Sequence, residues 1–208
     1  MREYVVSVVA VSTLAALAVF ISYGGASERA VKGAVSVILI YTLCMPIVDM
    51  VGDFSVENLN FESSQGDMAC YQLFADLSSN LTIPCGDIPD LVPILSVVAA
   101  TKCGATFENI RRLRLKESDR VASVIAMLAS LGCLATATED ILTVLPGKFK
   151  GGTIDACGDH RIAMAAAIAA TAAQSPVTIQ GAECVSKSYP GFWEEYKRLG
   201  GQYELDLR

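Results

Sequence analysis

The sequence predicts an α/β (α+β) fold built from repeated β-α-β-α-β-β units and preceded by an apolar two-helix hairpin. Three observations carry this. Punctuation recurs at a near-constant spacing: Asp90 and Asp159 lie 69 positions apart, Gly132 and Gly200 lie 68 apart, and Lys116 and Lys187 lie 71 apart. A fixed period of this kind marks a repeated supersecondary unit. Within a copy the apolar period switches. Val121, Val124, Ile125, Leu128 and Leu131 recur at helical spacing up to Gly132, and two short strand-like runs follow, residues 134–138 and 141–145. Upstream, Tyr4–Tyr23 is a run of twenty residues without a charge, and a second uncharged run covers 33–48.

The first of those uncharged runs is long enough to span a bilayer and the second is marginal. The loop from Ser27 to Lys32 joins them, so residues 4–48 read as a membrane hairpin, or else as a pair of buried core helices. A signal peptide fits less well, because a second apolar run follows and no small-residue cleavage site is evident. At Asp53 the composition turns polar and mixed, which sets a boundary between residues 1–54 and a second region, 55–208. A short helix is expected from Ser64-Gln65-Gly66-Asp67 to about Leu77, and Pro84-Cys85-Gly86 reads as a turn. Residues 91–101 form an apolar helix ended by Gly104, and 105–110 a strand. The second copy repeats the plan. Asp159-His160-Arg161 opens an Ala-rich helix, Ser175-Pro176 leads to a strand over 177–180, and Lys187 to Pro190 opens a helix over 191–199.

Basic charge concentrates in one place. Five of the 16 Lys and Arg residues fall between Arg111 and Arg120, in a chain whose net charge is -6. They occupy the turn that opens a helix, where free backbone N–H groups and the helix dipole already favour an anion. Such a turn is either a phosphate or carboxylate site or a solvated basic turn. Equivalent helix starts of packed repeats lie on one side. Asp90, Lys116, Glu117, Arg120, Asp159, His160, Arg161 and Lys187 are then brought together around one anionic ligand. Carboxylate and lysine groups there can move protons while the cations hold phosphate. Asp90 and Asp159 also have a plainer use as helix N-caps. Arg111 and Arg114 read as structural or solvent charges.

Leu113-Arg114-Leu115-Lys116-Glu117-Ser118-Asp119-Arg120, Gly158-Asp159-His160-Arg161-Ile162-Ala163-Met164-Ala165 and Ser186-Lys187-Ser188-Tyr189-Pro190 resemble the 5-enolpyruvylshikimate-3-phosphate synthases (3-phosphoshikimate 1-carboxyvinyltransferases). Asp87 to Leu91 and Ser64 to Asp67 match that family's preceding blocks in order, so the resemblance covers about residues 59–208. The related UDP-N-acetylglucosamine enolpyruvyl transferases share the fold but lack the K-E-S-D-R and D-H-R blocks. The resemblance implies enolpyruvyl transferase-type repeats and a cytoplasmic enzyme of the shikimate pathway, with shikimate 3-phosphate and phosphoenolpyruvate as substrates and neither metal nor organic cofactor. By position it implies that Asp90 is the acid/base at the shikimate hydroxyl and that Lys116 contacts the shikimate side. Arg120, Arg161 and Lys187 would hold phosphoenolpyruvate, Glu117 with Lys187 would serve proton transfer at C3, and His160 would support the site. A site-lining position for Arg112 is implied by the resemblance alone. It also implies a missing N-terminal domain. The family has two domains of three repeats, whereas this chain carries about two and a half repeats, so it reads as inactive or nearly so alone. Residues 1–54 resemble stage III sporulation protein AF, which leaves a second reading: a non-enzymatic, membrane-anchored assembly protein carrying an enzyme remnant.

Other classes fit poorly. The seven cysteines are scattered and include no C-x-x-C pair, and His160 is the single histidine. Neither a disulfide framework nor a zinc site is expected. A negative chain with one basic turn and no interleaved aromatics does not fit nucleic acid.

Overall fold

The computed structural model describes residues 2–6, 73, 81–198 and 201–207. Two units of the same plan emerge. The first runs β2 (Leu81–Pro84), α1 (Val92–Thr101), β3 (Ala105–Glu108), α2 (Arg120–Ser130), β4 (Ala135–Ala137) and β5 (Ile141–Val144). The second runs β6 (Gly152–Asp155), α3 (His160–Thr171), β7 (Val177–Gln180), α4 (Phe192–Arg198) and β8 (Tyr203–Leu207). The expected β-α-β-α-β-β order is thus present in full in the first unit.

The second unit obtains its remaining strand from the other end of the chain. In the first unit the strand order is β2-β3-β5-β4, with β2 parallel to β3 and the other pairs antiparallel. In the second it is β6-β7-β1-β8 with the same senses, where β1 is Arg2–Val6. So β1 stands where β5 stands in the first unit. Tyr4 pairs with Ile179 on one side and Leu205 on the other. This corrects the sequence reading at its start: an apolar helix was expected from Tyr4, and the chain is extended there. A β-branched opening, Val5-Val6, favours the strand. The rest of the expected hairpin, through residue 48, lies outside the described residues, as does the expected helix from Ser64 apart from Leu73, which is helical. Among the described residues no helix is long and apolar enough to cross a membrane.

Helices α1 and α3 pack against each other and are buried on every side, from Val92 to Ala100 and from Ile162 to Ala170. Alanine along α3 permits that close approach without polar atoms to satisfy. Pro93 in the first turn of α1 presets a helical φ where its missing N–H costs nothing. Gly104 ends that helix with φ +78, and a Cβ there would sit 2.6 Å from the Val144 carbonyl oxygen, so only glycine fits. Helix α2 is amphipathic: Val121, Val124, Met127 and Leu128 face inward, and it packs on β6 and α3 of the second unit. The two units therefore meet along α1, α2 and α3, and the first residues of these helices converge.

The repeat plan calls for strands before α1 and α3 and after α4, but no local pattern located these three. Pro84-Cys85-Gly86 was read as a turn, and the turn is there, but Leu81–Pro84 before it pairs with β3. Gly151-Gly152 was read as a separator, yet Gly152 is the first residue of β6. No pattern pointed to β8.

Candidate active site

Asp90 precedes α1 but does not cap it, since the N-cap is Leu91 without a side-chain hydrogen bond. Its carboxylate faces basic groups instead. Oδ1 accepts from Arg120 Nη1 at 2.7 Å and lies 3.3 Å from Lys116 Nζ, while Oδ2 accepts from Arg161 Nη2 at 2.9 Å. The plain capping use of Asp90 is thereby excluded. Asp159 does both jobs. Its Oδ1 accepts the backbone N–H of Arg161 at 2.9 Å, capping α3, and its Oδ2 accepts from Arg120 Nε at 2.9 Å and from the Ser118 hydroxyl at 3.2 Å.

Arg120 is the hub. Its side chain is 0% exposed, and its three nitrogens reach three carboxylates: Nε to Asp159, Nη1 to Asp90, and Nη2 to Glu117 at 2.6 Å. A buried guanidinium survives only with such pairing, because taking a charge out of water is expensive. The local fold puts it there. Residues 111–115 form a 3-10 turn pinned by buried Leu113, and Asp119 caps α2 by accepting from the Ala122 N–H at 3.1 Å. Arg120, the first residue of α2, is then aimed across at the start of α3.

The charges balance: Lys116, Arg120 and Arg161 meet Asp90, Glu117 and Asp159. Burial alone would push the Asp90 carboxyl up, but the Arg161 charge, the Arg120 hydrogen bond and charge, and Lys116 outweigh it and hold it below its ordinary value. Burial opposes the charge on Arg120, yet Asp159 and Asp90 more than restore it, raising its pKa. His160 is shifted down, first by burial and then by the Arg161 charge, although Asp159 and Glu117 pull the other way. Its ring is neutral at neutral pH. Asp90 is an ionised base restrained by three cations, so its basicity depends on what those cations hold.

Lys187 lies at the rim, its Nζ donating to the Gly158 carbonyl at 3.4 Å in the loop that leads to Asp159. Arg112 donates to the Gly86 carbonyl at 3.3 Å, beside the turn that carries Asp90. The other arginines point elsewhere, as the sequence led one to expect. Arg111 faces Glu139 and Asp140 at 3.4 and 3.8 Å, and Arg114 binds Asp119 and the Thr138 carbonyl. Gln65 and Asp67 lie outside the described residues. Sequence reasoning undervalued Asp159 and passed over Ser118 and Ser123, whose hydroxyls chain at 3.1 Å toward Asp159. For Asp159 and Ser118 the available signal was their presence inside the matching blocks; Ser123 lies outside them. Among the described residues no group of three or more His, Cys, Asp or Glu side chains is placed to hold a metal ion.

Residues 56–196 match the EPSP synthase family, the 3-phosphoshikimate 1-carboxyvinyltransferases. The chain belongs to that family. It is 41% identical over 167 residues to the 3-phosphoshikimate 1-carboxyvinyltransferase of Clostridium acetobutylicum, a match covering 72% of this chain and 39% of that protein. With the enzyme of the same name from Thermococcus kodakarensis it shares 36% identity, covering 72% and 42%. Among solved structures, EPSP synthase from Acinetobacter baumannii superposes with a TM-score of 0.53 at 34% identity, covering 59% of this chain and 29% of that one. The chain thus spans about two fifths of the length of these curated EPSP synthase relatives. The family match begins at residue 56 and does not extend to residues 1–54.

Proposed function

We propose that this chain carries one half of an enolpyruvyl transfer site, of the kind that moves the enolpyruvyl group from phosphoenolpyruvate to the 5-hydroxyl of shikimate 3-phosphate. The observation that supports it most is the convergence of the K-E-S-D-R and D-H-R blocks on Arg120. That cluster joins cations for anionic substrates to carboxylates for proton transfer. In the reaction the hydroxyl oxygen bonds to C2 of phosphoenolpyruvate, its proton passes to a base, and C3 takes up a proton. Phosphate then leaves C2 as a proton is lost again from C3. Asp90 is the proposed base at the hydroxyl, with Lys116 beside it. Arg161, Arg120 and Lys187 hold the carboxylate and phosphate of phosphoenolpyruvate, Arg112 lines the edge, and His160 supports the site as a neutral ring. Glu117 with Lys187 handles the proton at C3. Fixed cations of this kind stabilise charge that moves between substrates, and no cofactor is called for.

We take residues 55–208, joined through the sheet by Arg2–Val6, as a partial enolpyruvyl transferase domain that works in the cytoplasm. Its partner is a further domain supplying the other half of the substrate contacts. Alone it should turn over negligibly, because rate depends on holding both reactants in register. Phosphate release from shikimate 3-phosphate and phosphoenolpyruvate tests this. We expect none above background for the purified chain, and partial recovery when the remaining domain of the Clostridium acetobutylicum relative is added. Turnover by the chain alone at roughly 1–1000 per second, the usual range of enzymes, contradicts it. The membrane-anchored assembly reading loses the start of its anchor to β1.

A further inference from the structure

We infer that Ser118 and Ser123 are positioning residues for the proposed anion site: a relay of their hydroxyls holds the Asp159 carboxylate in one rotation and, through it, the guanidinium plane of Arg120. The inference rests on the proposed function for what Arg120 binds, but not for how Arg120 is aimed. Arg120 grips Asp159 side-on, with Nε 2.9 Å from Oδ2 and Nη2 3.4 Å from Oδ1. A two-point contact of this kind makes guanidinium and carboxylate share a plane, so the rotation of one sets the rotation of the other. Two further donors fix the carboxylate. The Arg161 backbone N–H holds Oδ1 at 2.9 Å, and the Ser118 hydroxyl holds Oδ2 at 3.2 Å. The first belongs to the α3 cap, whereas Ser118 reaches Asp159 from the first unit, the side on which Arg120 itself stands.

The relay has one sense. A carboxylate oxygen accepts, so the single proton of Ser118 points at Asp159, and its oxygen is left to accept from Ser123 at 3.1 Å. Ser123 lies on the buried face of α2, one turn beyond Arg120, and is 6% exposed. A helical serine commonly donates back to the carbonyl four residues earlier. Here the hydroxyl serves Ser118 instead, and a donor that is itself accepting a hydrogen bond binds its carboxylate more firmly. Ser118 also sits in the bend that carries Lys116 and Glu117, between the 3-10 turn and α2. Its bond to Asp159 therefore registers those two side chains against His160 and Arg161 at the start of α3. Neither serine is asked to touch a substrate; both act through Asp159.

The Arg120 Nε–Hε resonance in a nitrogen–proton NMR correlation of the full chain reports how that side chain is held, and titration calorimetry reports phosphoenolpyruvate binding. In Ser118→Ala we expect this N–H to shift and to exchange with water about ten-fold faster, and phosphoenolpyruvate to bind about ten-fold weaker, as follows from losing one hydrogen bond to a charged group. Ser118→Thr keeps the hydroxyl and should restore both. Ser123→Ala, at a helical position that suits alanine, should shift the same resonance and weaken binding about two- to four-fold. Because Ser123 acts through Ser118, the double variant should match Ser118→Ala alone. An unmoved Arg120 resonance in either alanine variant, no rescue by threonine, or additive effects in the double variant overturns the relay. Ser123→Ala carries the test by itself if Ser118→Ala does not fold. A resonance that responds as expected in a chain that binds no phosphoenolpyruvate overturns the proposed anion site and leaves the aiming of Arg120 in place.

Discussion

Arg120→Ala is expected to destabilise the chain by about 3–5 kcal/mol, the cost of removing one partner from a buried charge cluster. The side chain is 0% exposed and bridges carboxylates from both units. Its loss strands Asp159 in the interior with a hydroxyl and a backbone N–H for company. Arg114→Ala is the matched control: Arg114 sits on the surface beside Asp119, and an exposed pair is worth about 0–1 kcal/mol. Urea denaturation of the two variants measures both. The acid limb of stability should change as well. Asp90 has its folded pKa held below its unfolded value, so it contributes stability that is present above the unfolded pKa and lost as pH falls through the folded one. Arg120→Ala removes part of that shift, so the variant should lose less stability on acidification. Equal urea midpoints for Arg120→Ala and Arg114→Ala contradict the hub.

The second large effect concerns the first residues of the chain. Strand β1 lies between β7 and β8, so its backbone is paired on both sides over Arg2–Val6. Tyr4→Pro removes a ladder donor in the interior of a sheet, where proline is not tolerated. The partner carbonyl left unpaired costs about 1–3 kcal/mol, and the ring's clash with the neighbouring strand adds to it. The expected outcome is loss of hydrogen-exchange protection in β7, at Val177–Gln180, with β2 and β3 of the first unit much less affected. Unchanged protection in β7 would mean that β1 is not part of the sheet.

The repeat was legible because glycines and acidic helix starts recur in register, and the helices because Val121 to Leu131 keep a helical apolar period. Sequence reading failed where a residue works against its usual sign. Gly152 opens a strand with φ +151, a position that looks like a break when read locally. Tyr4 to Val6 continue into a long uncharged run, and hydropathy cannot separate a buried strand from the start of a buried helix over so few residues. The pairing of β1 with β7 joins positions more than 170 apart, which no local pattern encodes. In the site, residue types announced the chemistry, but the allocation of partners did not follow from them. Asp90 and Asp159 are both acidic helix-start residues, yet only the second caps its helix. The difference is one of register: the helix after Asp90 starts only beyond Leu91, whereas Asp159 immediately precedes its helix, and Arg120 reaches both carboxylates, Asp159 across the boundary between units.

The central proposal is that the helix-start cluster binds phosphoenolpyruvate. Phosphorus NMR of phosphoenolpyruvate in the presence of the chain tests that directly, with Arg161→Ala and Arg111→Ala compared side by side. Arg161 reaches Asp90 inside the cluster, whereas Arg111 faces Glu139 on the far side of the turn. The predicted result is a broadened, shifted ligand resonance with the unsubstituted chain and with Arg111→Ala, and a free-ligand resonance with Arg161→Ala. A resonance unaffected by the unsubstituted chain, or equally affected by all three proteins, would contradict the account.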